Sequence, residues 1–275
     1  MIRCTPITAS CGAEVSGVSL RAGLSPEEAR SLRAALLTHK VLVLRDQHPS
    51  PSDQIRLGQA LGTLAPRHPL YPKVDGHDDI IVIRDDASSP PENEVWHADL
   101  SCYPSPPFAA VLHGAEIPPV GGDTLWVNMA AVAASLSPPM QRFLEGLTAL
   151  HTLEKGFDFL DPVDQADRIA ALTASRGETH RADHPVLRRH PLTGEPVLYV
   201  NASFTVCVNE LHRAESKQLL SFLCSLAEQP RYQMRLRWSP GTVVVWDNWA
   251  TQHFAAADHF PATREVHRVT VQRPH

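Results

Sequence analysis

Two histidines and one aspartate in this chain could hold a single metal ion. His97 and Asp99 lie two apart in VWHADLS, and His253 follows in WDNWATQHF. Two imidazoles and a carboxylate on one side of a metal leave positions open on the other. Non-haem Fe(II) oxygenases use that facial arrangement. The same donor types also serve catalytic zinc, so the ligands alone leave oxidation and hydrolysis both open. Arg264 comes eleven residues after His253, in PATREVHRV, and Arg268 four further on. A guanidinium grips a carboxylate or similar oxyanion through two parallel hydrogen bonds. The set therefore describes a metal with organic anions held beside it.

Each piece has a plainer reading. His77-Asp78-Asp79 repeats the His-x-Asp pattern in the polar stretch VDGHDDI, which reads as a solvated turn. His97 follows Trp96 and precedes an alternating stretch, so it reads as a strand residue. Side chains two apart on a strand face the same way, which would bring His97 and Asp99 to one metal. His253 is expected at the end of the strand Thr242–Asp247, where loops carry chemistry. With 15 histidines in the chain, a third ligand is easy to find by accident. The two arginines therefore matter. In an extended segment they share a face about 13 Å apart, enough for each to take a different anion. Val266 and Val269 between them do not settle which face is buried.

Positioning these residues requires ordered elements. Ser25-Pro26-Glu27-Glu28 is a capping box with proline in the first turn, predicting a helix to about His39. A second capped helix is expected from Pro51-Ser52-Asp53 to near Gly62. Further helices are expected near Pro138–Leu147, Asp164–Ala174 and Glu210–Ala227. Apolar runs predict strands at Val41–Leu44, Ile80–Ile83, Ala109–Leu112, Thr124–Val127 and Val197–Val200. The C-terminal part reads as strands over Tyr232–Trp238, Thr242–Trp246 and Val266–Val271. Short strands with interspersed helices argue an α+β fold with a β-rich core.

At 275 residues, with no linker-like stretch and no internal repeat, the chain reads as a single domain, 1–275. Its 43% hydrophobic and 20% charged residues suit a globule with a real core. A net charge of −5 without a Lys/Arg cluster argues against a nucleic-acid partner. No apolar run approaches membrane-spanning length, and no secretory leader is visible. The five cysteines are scattered, with no CxxC. That argues against a disulfide framework and fits a cytoplasmic protein. Cys102 is expected to be a packing residue rather than a ligand.

Over nearly its whole length the chain resembles the taurine/2-oxoglutarate dioxygenase family, a group that includes alkylsulfatases and phenoxyacetate dioxygenases. The matching segments include VSGVSL, HKVLVLRDQ, HPLYP, NEVWHADLS and GGDTLW. They continue through HPLTGEPVLYVNASFT, WDNWATQHFAAAD and REVHRVTV. The resemblance implies a double-stranded β-helix, or jelly roll, with flanking helices. It implies Fe(II) on His97, Asp99 and His253, with 2-oxoglutarate and O2 as cosubstrates. The far carboxylate of 2-oxoglutarate would meet Thr124 and Arg264. The retained carboxylate at Asp99 favours hydroxylation over halogenation. A homo-oligomer, dimer or tetramer, is also implied.

The same resemblance implies a small anionic substrate bound by His68, Tyr71, Asn93, Phe157, Phe204 and Arg268. Taurine or a related alkanesulfonate would be hydroxylated beside sulfur and collapse to sulfite and an aldehyde, with succinate and CO2 formed. An alkyl sulfate, or an amino-acid-like carboxylate in secondary metabolism, is the alternative. The chain departs from the taurine enzyme at Gly156, where that enzyme has a serine near the substrate's amine end. It departs too at Leu100, Cys102, Tyr103, Pro104, Trp249 and Phe254. The anion end is kept and the opposite end is altered.

Overall fold

The computed structural model describes residues 2–66, 70–92, 94–158, 162–176 and 180–274. Its centre is a nine-stranded sheet. In order across it run Arg3–Pro6, Ala13–Ser16, Val41–Leu44, Val243–Asp247, Ala109–Glu116, Arg264–Pro274, His77–Asp85 and Lys73–Val74; Gly62–Leu64 also pairs with Arg264–Pro274. A smaller sheet of Gln233–Leu236, Thr124–Asn128 and Thr251–Ala255 holds a separate set of pairings.

Alternation along the strands makes the core between these sheets. Val41 and Val43, Ala110 and Leu112, Val244 and Trp246, and Val266 pack against Trp126, Met234, Leu236 and Trp238. Trp126 and Trp246 are fully buried, with ring centroids 5.8 Å apart. Truncating either to alanine would cost about 3–5 kcal/mol. The alternate residues of the same strands, among them Leu42, Leu44, Val243, Val245, Val269 and Val271, point the other way. There they pack with Leu32, Leu36, Leu57 and Leu61, the buried leucines of helices Pro26–His39 and Pro51–Leu61. Both faces of the central strands are therefore buried, and Val266 and Val269 serve opposite faces.

The helices begin where their caps predict. The Ser25 hydroxyl accepts from the Glu28 amide, while the Glu28 carboxylate accepts from the Ser25 amide. Ser50 and Asp53 repeat the exchange, so Ser50 is the cap of the second helix. Boundaries differ elsewhere. The helix expected over Pro138–Leu147 stops at Leu144, and the one expected from Glu210 begins at Arg213. The Val197–Val200 expectation is met by a strand over Pro196–Leu198. A helix over Met129–Ser135, capped by Asn128, escapes periodicity because its seven residues span under two turns. His77-Asp78-Asp79 is not a turn. It opens the strand His77–Asp85, with both aspartates exposed.

Candidate metal centre and anion pocket

His253 lies on its own strand, Thr251–Ala255, one turn beyond Val243–Asp247 rather than at the end of it. That strand pairs with Thr124–Asn128, setting His253 opposite Trp126. His97 is not in a regular strand. It makes an isolated bridge with His253: the His97 amide donates to the His253 carbonyl at 3.1 Å, and the His253 amide returns the bond at 2.8 Å. The two imidazoles follow, with ring centroids 4.1 Å apart.

Asp99 reaches the same point for a reason other than strand alternation. Residues 99 and 100 are a turn, and Leu100 adopts φ 52°, a left-handed conformation uncommon outside glycine. Asn248 holds that turn. Its side-chain oxygen accepts from the Asp99 amide at 2.8 Å, and its amide nitrogen donates to the carbonyls of Asp99 and Pro107, each at 3.0 Å. Asn248 belongs to the WDN segment quoted above, but only the fold reveals its partners. Behind the turn, buried His184 bridges the carbonyls of Ser101 and Tyr103 at 2.9 and 3.1 Å, and His151 meets the Ser101 hydroxyl at 3.0 Å. Cys102 is fully buried in the adjoining apolar cluster.

The donors of His97, Asp99 and His253 all lie within 4.8 Å of one another. Asp99 Oδ1 stands 3.9 Å from His97 Nε2 and 4.0 Å from His253 Nε2. The Val95 carbonyl takes the other ring nitrogen of His97 at 2.8 Å, which fixes the tautomer leaving Nε2 as a donor to metal. Burial pushes His253 down to about 3, keeping it in the neutral form a metal needs. Two imidazoles and one carboxylate at these separations fit a divalent transition metal.

All three open onto a cavity of about 150 Å³ that also contains Thr124, Arg264 and Arg268. Arg264 Nε donates to the Gly122 carbonyl at 3.0 Å and Nη2 to the Thr124 hydroxyl at 3.2 Å. Trp238 Nε1 also donates to that hydroxyl, at 3.0 Å. With both acceptor directions used, the Thr124 proton is left to donate. Asp85 stands 3.8 Å from Arg264, and its carboxyl is raised by burial. Arg268 Nη1 donates to Asp99 Oδ1 at 3.1 Å. His267, between the arginines, meets Glu265 at 2.9 Å and is no part of the cavity lining.

Tyr71, Phe157 and Phe204 line the same cavity. His68 and Asn93 lie outside the described residues. Of the departures from the taurine enzyme, Gly156 and Leu100 face the cavity. Trp249 and Phe254 do not line it: Trp249 packs on Phe108 and donates to the Pro106 carbonyl, and Phe254 packs on Trp96. Glu92 and Arg168 also line it, and nothing in the local sequence marked either.

The family described as "Taurine catabolism dioxygenase TauD, TfdA family" matches residues 3–270. An alpha-ketoglutarate-dependent sulfate ester dioxygenase of Pseudomonas putida is 32% identical, over 97% of this chain and 88% of its own. An alkylsulfatase of Acinetobacter baylyi is 31% identical, over 96% and 83%. A crystal structure of a putative alpha-ketoglutarate-dependent taurine dioxygenase from Burkholderia xenovorans superposes with a TM-score of 0.84 at 32% identity, covering 98% of this chain and 89% of that one. By that match over residues 3–270, the chain, with a His-Asp-His triad able to hold a metal and two arginines in one cavity, belongs to the TauD/TfdA family of 2-oxoglutarate-dependent dioxygenases.

Proposed function

We propose that the chain acts as one domain, a double-stranded β-helix formed by the two facing sheets, and hydroxylates a small organic anion in the cytoplasm. The carrying observation is the convergence of three metal donors and two separately held guanidiniums on one cavity. His97, Asp99 and His253 would hold Fe(II), which supplies the activation of O2 that couples loss of CO2 from 2-oxoglutarate to hydroxylation of a C–H bond. Arg264 and the Thr124 hydroxyl receive the far carboxylate of 2-oxoglutarate. Charge-assisted bonds in a water-poor site are strong enough to fix its orientation. Arg268, beside Asp99, receives the anionic end of the substrate and sets the adjacent carbon against the metal. Tyr71, Phe157 and Phe204 wall in its body and exclude water.

An alkanesulfonate or alkyl sulfate suits this site, since either presents a tetrahedral oxyanion to Arg268. Hydroxylation of the carbon bearing the sulfonate gives an unstable alcohol that expels sulfite and leaves an aldehyde. The same step on a sulfate ester expels sulfate. The test is anaerobic loading with Fe(II) and 2-oxoglutarate, then an O2 pulse with separate alkanesulfonates, alkyl sulfates and carboxylates. Succinate with sulfite or sulfate is the expected result. Succinate stimulated only by carboxylates would overturn the substrate class, and its absence with every anion would overturn the activity.

A further inference from the structure

The cavity lining holds a second carboxylate–guanidinium pair. Arg168, on helix Pro162–Arg176, donates from Nη1 and Nη2 to the two oxygens of Glu92, each at 2.8 Å. Its guanidinium also lies 5.8 Å from the centre of the Phe157 ring. Both Glu92 and Arg168 line the cavity. The Tyr71 side chain feels the charges of Arg268 and Asp99 as well as those of Glu92 and Arg168. It therefore lies within the electrostatic reach of two carboxylate–guanidinium pairs, Asp99–Arg268 and Glu92–Arg168.

Leu70, Leu100, Leu153, Phe157 and Phe204 give the same lining an apolar surface. Gly156 shapes this surface. A Cβ there would fall 2.5 Å from Phe204 Cε1 and 2.9 Å from Cδ1. The Phe204 ring thus occupies the space that any larger residue at 156 would need.

We propose that Arg168 is a specificity-determining residue, and that the pocket selects organic anions with an uncharged apolar body and rejects aminoalkyl ones. This rests on the reading that Arg268 takes the anionic end. Glu92 is a carboxylate of the described lining able to receive a substrate ammonium, and Arg168 occupies both its oxygens. The ammonium would also approach the Arg168 cation, and the face of Phe157 already carries that guanidinium. Against the leucine and phenylalanine surface of the described lining an ammonium would be a charge without a partner, which is costly. A methyl group in the same place loses nothing.

Propane-1-sulfonate and taurine test this, because they differ in replacing a methyl by an ammonium at similar size. Each is titrated anaerobically into the protein loaded with Fe(II) and 2-oxoglutarate, following the metal–cosubstrate charge-transfer absorption or heat, so that binding is read without turnover. The wild type is expected to bind propane-1-sulfonate about tenfold or more tighter. Arg168→Ala removes the repelling cation and frees Glu92, narrowing the ratio by about tenfold through tighter taurine binding. Adding Glu92→Gln to Arg168→Ala restores the discrimination. Wild-type preference for taurine, an unchanged ratio in Arg168→Ala, or a double variant behaving like the single one would each overturn the proposal. Binding of neither sulfonate to a protein that still forms the charge-transfer complex would also overturn it. The O2-pulse succinate assay with other anions decides the dioxygenase reading independently.

Discussion

Arg268 Nη1 donates to Asp99 Oδ1 at 3.1 Å, and that same oxygen faces the Nε2 atoms of His97 and His253 at 3.9 and 4.0 Å. One carboxylate oxygen is thus shared between the metal position and the proposed substrate arginine. Arg264 is anchored on Gly122 and Thr124 instead, with Asp85 3.8 Å away. Arg264→Ala should raise the 2-oxoglutarate requirement roughly 10- to 100-fold, as expected for loss of a charged hydrogen-bond partner. Arg268→Ala should raise the substrate requirement far more than that for 2-oxoglutarate. Steady-state KM values for both compounds check this, and the reverse ranking would exchange the two roles.

Asp99→Ala removes the one carboxylate of the triad proposed to hold the metal. Iron-dependent succinate formation should fall to background, with Fe(II) binding by calorimetry weakened in parallel. Undiminished succinate from this variant would take Asp99 out of the metal site.

Asn248 holds Asp99 by its backbone and is itself buried. Asn248→Ala should weaken Fe(II) binding about 10- to 100-fold, the usual scale for losing a group that orients a ligand. Equilibrium competition against a chelator measures it. Wild-type affinity in a folded variant would mean the left-handed Leu100 turn stands without the latch.

Thr124→Val replaces a hydroxyl that accepts from both Trp238 and Arg264 with a methyl. Two buried donors then lose a partner, at about 1–3 kcal/mol each. The urea midpoint should drop and the KM for 2-oxoglutarate should rise. A drop in stability with KM unchanged would make Thr124 a support for Arg264 and no more.

Stability should also respond to acid. Burial pushes His151 down to about 3 and lowers His184, while in the unfolded chain each returns to about 6.5. Below that value the unfolded chain takes up protons that the folded one refuses. Their contribution is complete above about pH 6.5 and lost as pH falls toward the folded values. For His151 the loss is about 1.4 kcal/mol per pH unit in that window. Urea melts of the metal-free protein at pH 7.5 and 5.5 should show it, and His151→Gln should flatten the slope. Equal slopes would exclude His151 as a source.

The legible parts of the sequence were those fixed by local chemistry. Ser25–Glu28 marks a helix start because its first and last residues satisfy each other's hydrogen bonds. The types and spacing of His97, Asp99, His253, Arg264 and Arg268 named a metal with anions beside it, and all five face one cavity. The expected reason for the His97–Asp99 pairing did not hold, because a left-handed turn held from residue 248 replaces the strand. That contact spans 149 positions, beyond the reach of any periodicity. Glu92 and Arg168 were invisible for the same cause: each is an ordinary surface residue type until the fold brings the two together.

The strand Arg264–Pro274 follows every other strand of the large sheet in sequence, yet it lies inside that sheet, between Ala109–Glu116 and His77–Asp85. A ribosome must therefore translate past Arg268 before the sheet can close and before Arg264 and Arg268 can meet in one cavity. Until synthesis has passed these residues, a nascent chain would carry His97 and Asp99 without the full proposed donor set.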